Sequence, residues 1–165
     1  MRSGSLDITV EGTITDFLGV KITRKPDGTY HLTQPHMIDS ILRDLRLDGV
    51  DSKIKEIPAK SSTILKSHAE SPEFDNNFHY RGVIGKLNYL EKCTRPDIAY
   101  AVHQCARFMI NPKVEHGKAI KWLGRYLKGT ADKGLIFKPS DSAFQVYVDS
   151  DFAGNWDQST AKDDI

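Results

Sequence analysis

The sequence predicts an α+β fold, with a helical middle and a small β unit at each end. Three observations carry that expectation. Between Pro35 and Gly129, apolar residues recur at spacings of three and four, the mark of helices that bury one face. Runs rich in aromatic and β-branched residues, broken by Gly and Pro, occur before and after that middle. Residues 48–75 show no periodicity and are rich in Ser, Lys, Pro and Glu, so they read as a connector that wraps or dangles.

Residues 13–34, "TITDFLGVKITRKPDGTYHLTQ", read as a β-hairpin in which "FLGVKIT" and "TYHLTQ" are the strands and "KPDG" the turn. "QPHMIDSILRDLRL" reads as a short helix with Met37, Ile38, Ile41, Leu42 and Leu45 inward and Asp39, Arg43 and Asp44 outward. After the connector, residues 77–93 predict a second helix whose apolar stripe is Tyr80, Val83, Ile84, Leu87 and Leu90. In "TRPD", Thr94 is expected to cap the next helix, with Asp97 as its acidic partner and Pro96 in the first turn. Ile98, Ala101, Val102, Cys105 and Met109 give that helix one apolar face. "NP" at Asn111 and Pro112 repeats the device, and "KVEHGKAIKWLGRYLKG" predicts a final helix that buries Ile120, Leu123 and Leu127 and stops at Gly129. "GLIFKP" and "FQVYVDSDF" then read as two antiparallel strands around "SDSA".

The composition is that of an ordinary globular chain: 165 residues, 39% hydrophobic and 27% charged. No apolar run approaches the roughly 18 residues of a membrane span. The two cysteines, Cys93 and Cys105, lack CxxC spacing and read as reduced, buried thiols of an intracellular protein. His31 and His36 straddle a strand end and Pro35, which argues against a metal pair, and Cys93, His103 and Cys105 lack zinc spacing.

Charge is uneven along the chain. Residues 81–128 hold 10 Lys/Arg against 3 Asp/Glu, whereas residues 129–165 hold 3 against 7. A basic middle suits a polyanion partner. Within it, Lys118, Lys121, Arg125 and Lys128 share one helix face; the alternative is a plain solvated face. The outer face of the second helix is less ordinary. It carries Arg81, Gly85, Asn88, Tyr89 and Lys92, and a mid-helix glycine costs about 1 kcal/mol against alanine. Gly82 and Gly85 suggest that something comes close to that backbone, either a ligand or another helix. In the acidic tail, Asp149 and Asp151 stand one residue apart after a strand-like run, as metal-binding carboxylates often do.

Four blocks in order, "FLGVKI…TQPHMIDSIL", "YRGVIGKLNYLEKCTRPDIAYAV", "NPKVEHGKAIKWLGRYLKGT" and "VYVDSDFAG", resemble the Pol polyprotein of copia-type LTR retrotransposons. The resemblance covers roughly residues 12–160 and runs from the end of reverse transcriptase into the start of RNase H. It implies the end of the polymerase palm over residues 1–47, a connector over 48–76, thumb and connection helices over 77–130, and the start of an RNase H-like sheet over 131–165. Phe17, Leu18 and Gly19 match the primer grip. The "RGVIGKLNYL" helix resembles a thumb helix that tracks the minor groove, with Gly85 admitting the sugar–phosphate edge, Tyr89 against sugars, and Arg81 and Lys86 at phosphates or base edges. Lys118, Lys121, Arg125 and Lys128 would then face a template or hybrid backbone.

"YVDS" is similar to the polymerase YxDD box, but in the family that box precedes "FLG", and residue 150 is Ser. Asp149 instead matches the first RNase H carboxylate, with Asp151 a secondary ligand. RNase H chemistry uses two Mg²⁺ ions about 4 Å apart, which need more carboxylates than this stretch supplies. The expectation is a chain that holds primer-template or RNA–DNA hybrid, partners the rest of Pol in the cytoplasm, a virus-like particle or the nucleus, and has neither activity alone. The competing readings are a standalone nucleic-acid-binding remnant and a helical protein-interaction module.

Overall fold

The computed structural model describes residues 15–49, 53–60, 65–66 and 71–138. Strands β1 (Asp16–Phe17), β2 (Val20–Arg24) and β3 (Tyr30–Thr33) lead into helix α1 (Pro35–Asp44). Helix α2 (Tyr80–Cys93) follows the connector, then a 3₁₀ turn (Pro96–Ile98), helices α3 (Ala99–Ala106) and α4 (Val114–Gly129), and strand β4 (Leu135–Phe137). The α+β class therefore holds.

The helices form as their periodicity dictates. α1 buries Ile38, Ile41 and Leu42, and α2 buries Tyr80, Val83, Ile84, Leu87 and Leu90. α3 turns in Ala101, Val102 and Cys105, and α4 turns in Ile120, Leu123 and Leu127. These stripes meet in one core, to which each fully buried Leu or Ile contributes roughly 2 kcal/mol. Burial pushes the Cys105 thiol up to about 12, so it stays protonated, and Tyr80 donates from its hydroxyl to the Cys105 carbonyl at 2.8 Å.

The first hairpin is more compact than the sequence suggested. "FLGVKIT" is not one strand: β1 and β2 pair through Phe17↔Val20, and Leu18 and Gly19 form the two-residue turn between them. Both turn residues have positive φ, 50° and 76°, as a type I′ turn requires. Glycine adopts that conformation freely, whereas leucine is strained by about 1–2 kcal/mol. The "KPDG" turn lies where expected, between β2 and β3.

The C-terminal β unit also differs. β4 does not stand apart; it pairs antiparallel with β3 through Leu32↔Leu135 and completes one four-stranded sheet in the order β1-β2-β3-β4. Gly134 permits that closure, because a Cβ there would lie 2.0 Å from the Leu32 carbonyl oxygen. The second expected strand, "FQVYVDSDF", lies outside the described residues.

Thr94 is not a helix N-cap. It ends α2 and donates its hydroxyl to Gln34 Oε1 at 2.9 Å. Asp97 faces Arg95 and Tyr126 rather than a cap. Pro112 stands just outside α4, whose N-cap is Lys113. The described parts of the connector wrap α4: the Lys55 amide donates to the Arg125 carbonyl at 3.3 Å, and the Trp122 indole donates to the Ile57 carbonyl at 3.0 Å.

Candidate nucleic-acid interface

Burying Tyr80, Ile84 and Leu87 on one side of α2 forces the residues between them outward. Arg81, Gly85, Tyr89 and Lys92 are all exposed, at spacings of four, four and three, so they form one stripe along the helix. Asn88 flanks it, half-buried. Apart from its chain neighbours and its own helix backbone, no described residue lies within 4 Å of where a Gly85 Cβ would stand, so this glycine does not serve packing against a neighbouring helix. Gly82 is different: its Cβ would meet the His79 ring at 2.5 Å.

The first hairpin reaches this stripe. Tyr89 donates from its hydroxyl to the Leu18 carbonyl at 2.7 Å, across 71 residues of sequence. That bond fixes the strained turn at the Tyr89 end of the stripe and leaves Phe17 and Leu18 outside, 60% and 72% exposed. Phe17, Leu18, Gly19, Arg81, Gly85 and Tyr89 thus belong to one surface. It combines exposed apolar groups, an open stretch of backbone and a guanidinium, which suits a ligand with both apolar and anionic faces.

Lys86 lies off the stripe. Its ammonium donates to Ser40 Oγ at 2.8 Å and pairs with Asp44 at 2.7 Å, which ties α2 to α1.

The four cations of α4 do not act as one face. Lys118 is exposed. Lys128 donates to the Leu47 carbonyl at 3.1 Å and to the Gly49 carbonyl, so its charge serves the turn after α1. Lys121 and Arg125 line an open cleft of about 590 Å³, joined there by Arg46, Lys53, Lys55 and Trp122. Those three further cations come from the end of α1 and from the aperiodic connector, so no helical repeat in the sequence links them to α4.

The two most specific motifs meet in the interior. From "TRPD", Arg95 is 1% exposed and gives Asp97 two hydrogen bonds of 2.9 Å. From "RYLKGT", Thr130 accepts from Arg95 at its carbonyl and its hydroxyl, each at 2.8 Å, and Tyr126 donates to Asp97 at 2.7 Å. Partial burial opposes the charge on Asp97, but hydrogen bonds from Arg95 and Tyr126 and the adjacent guanidinium outweigh it and hold the carboxyl below its usual range. The same carboxylate holds the Arg95 guanidinium charged against burial. This cluster fastens the end of α2 to the C-terminus of α4, where a cation also suits the helix dipole.

Asp149 and Asp151, the expected metal ligands, lie outside the described residues. Among the described residues, no group of three or more His, Cys, Asp or Glu could hold a metal ion, and no helix is long and apolar enough to cross a membrane.

The chain is 33% identical over 159 residues to the retrovirus-related Pol polyprotein from transposon TNT 1-94 of Nicotiana tabacum, covering 94% of this chain and 12% of that protein. It is 37% identical over 142 residues to the Pol polyprotein from transposon RE1 of Arabidopsis thaliana, covering 86% of this chain and 9% of the relative. The mitochondrial protein AtMg00810 of Arabidopsis thaliana is 33% identical over 144 residues, 87% of this chain and 58% of its own length. The chain thus spans about a tenth of the Pol polyproteins it matches. No family model and no solved structure matches it.

Proposed function

We propose, from the premise that this chain is a stretch of a copia-type, retrovirus-related Pol polyprotein, that it grips the primer-template or RNA–DNA hybrid made during reverse transcription. The observation that carries the reading is the α2 stripe. Arg81, Gly85 and Tyr89 are exposed in line, the backbone at Gly85 is open, and Tyr89 holds the Phe17–Gly19 turn beside them. In this role the open glycine admits a sugar–phosphate edge to van der Waals distance. Tyr89 lies against sugars, Arg81 meets a phosphate, and the turn presents its backbone to a strand terminus. Such contacts follow duplex shape and tolerate any sequence, as copying an entire template demands.

Mg²⁺ in the parent enzyme would polarise phosphodiester oxygens. The residues described here supply only grip and alignment.

The test is fluorescence anisotropy of the chain with labelled RNA–DNA hybrids of unrelated sequence. The expected result is similar affinity for each hybrid, weakened about tenfold or more by the Arg81→Ala/Tyr89→Ala pair. Tyr89→Phe, which keeps the ring and loses the Leu18 tie, should fall between. Equal binding by wild type and the double variant would sink the proposal.

A second reading draws on AtMg00810, a much shorter relative that shares most of this stretch. Under it, the same segment works as a nucleic-acid-binding unit without a polymerase around it. The binding result would be the same; the coding sequence on either side of the segment separates the two.

A further inference from the structure

The cleft between the end of α1, the connector and α4 gathers Arg46, Lys53, Lys55, Lys121 and Arg125, and no acidic side chain among the described residues lines it. None of the five takes part in a salt bridge with the described residues. Five like charges around one open space repel one another, and an anion relieves that repulsion.

Two of these cations are held in place, Lys55 through its side chain and Arg46 through its backbone. Lys55 sits over the Trp122 ring, 4.0 Å from its centroid, while the indole N–H is fixed by the Ile57 carbonyl. One face of the ring thereby supports a charge. Arg46 occupies the residue after the α1 C-cap with φ of 56°. Its amide donates to the Arg43 carbonyl at 3.0 Å and the Leu47 amide to the Leu42 carbonyl at 2.8 Å, the paired bonds of a Schellman motif. Glycine is the usual residue there. Arginine places a guanidinium at the cleft at the expense of backbone strain.

We propose that this cleft is a second phosphate site, one that takes consecutive phosphates of a nucleic-acid strand. It rests on the reading that the chain grips nucleic acid, and it is separate from the α2 stripe. A strand suits it better than a free phosphate. The cleft is open, and Lys118 continues the row of cations one helical turn before Lys121. Lys118 to Arg125 spans about 10 Å along α4, the axial rise of roughly three base steps of ~3.4 Å for a duplex lying parallel to that helix.

The experiment measures hybrid affinity across a series of KCl concentrations for wild type, Arg46→Gly/Lys53→Gln, Lys128→Gln and Tyr89→Ala. Arg46→Gly suits the backbone at that position, so a thermal melt no lower than wild type shows that the variant is folded. The expected result for the double variant is an affinity loss above tenfold at low salt. The slope of log affinity against log salt should become shallower by about 2, at ~0.9 per phosphate contact. Lys128→Gln should leave the slope unchanged, because that ammonium is spent on the Leu47 and Gly49 carbonyls. An unchanged slope in the double variant, with Tyr89→Ala still weakening binding, overturns the cleft and spares the stripe. Absence of hybrid binding by wild type overturns both. A calorimetric titration with tripolyphosphate is the second arm. Saturable binding lost in the double variant, without any effect of that variant on hybrid, would make the occupant a free polyphosphate and overturn the strand assignment.

Discussion

α2 and α4 both carry basic residues at helical spacing, and the two helices use them differently. On α2, Lys86 is spent on Ser40 and Asp44, but Arg81 and Lys92 stand exposed beside an open glycine and a tyrosine that holds the neighbouring turn. On α4, Lys128 is consumed by backbone carbonyls, and Lys121 and Arg125 are drawn into a cleft shared with two other segments. Position on a helix therefore does not decide what a charge does. What decides is whether the chain's own oxygens reach it first.

The cluster around Arg95 offers the strongest way to break this contrast, because it fastens the two helices together. Arg95→Ala removes four hydrogen bonds and leaves Asp97 with Tyr126 as its remaining side-chain partner. Breaking a buried pair typically costs 3–5 kcal/mol; Asp97 is 39% exposed, so roughly 3 kcal/mol is expected. Urea unfolding measures it. Where the variant is still folded, its hybrid affinity should stay near wild type, since Arg95 reaches neither the stripe nor the cleft. A large binding loss at full fold would show that the two helices do not act separately.

His116 sharpens the same contrast from the other end of α4. It is 1% exposed, stacked on Phe108 at 3.8 Å, and its Nδ1 accepts from the Lys113 amide at 3.0 Å. Nε2 therefore holds the proton and donates to the Lys66 carbonyl at 3.1 Å. A second proton would have to enter at Nδ1, against an N–H that already points there. Burial, aided by the Lys113 charge, depresses the His116 pKa below its usual 6.5, although the Lys66 carbonyl and Glu115 act the other way. As pH falls, the unfolded chain takes the proton first. The contribution of His116 to stability is thus complete above about pH 6.5 and declines below it. Urea midpoints at pH 7.5 and 5.5 should separate more for wild type than for His116→Asn. Equal separations would mean that this end of α4 is not fastened by a neutral histidine.

Much of this was legible in the sequence. The inward stripes of α1, α2, α3 and α4 follow from periodicity, because burial is the strongest force on a helix face and leaves a repeat of 3.6. The α2 outer stripe was legible for the same reason: Gly85 breaks the helix preference without any local gain. Three things were not. Pairing of β4 with β3 joins residues a hundred apart, and no local pattern encodes a partner at that distance. The Leu18–Gly19 turn was hidden because leucine seldom takes positive φ. The fate of Lys128 and the role of Arg95 depend on backbone carbonyls, which every sequence has and no sequence marks. "TRPD" and "RYLKGT", specific stretches of the resemblance, meet in the structure as scaffold rather than as ligand surface.

The smallest expected effect is the most discriminating. Gly85 is exposed in the middle of α2, and a Cβ there meets no described residue beyond its own stretch of helix. If the helix were merely solvated, Gly85→Ala would be pure gain, stabilising the fold by up to about 1 kcal/mol through helix propensity. If the backbone at Gly85 receives a sugar–phosphate edge, the same methyl group occupies the space that the edge needs. The expectation is a dissociation of two readouts: a higher urea midpoint together with weaker hybrid binding, by several-fold. Gly85→Leu should deepen the binding loss while largely keeping the helical gain, because leucine is also a good helix former. No buried contact changes in either variant, so a lost affinity cannot be charged to a damaged core. Higher stability with undiminished affinity would return the α2 stripe to the status of a plain solvated face, and the difference between the two helices would then be one of exposure rather than of use.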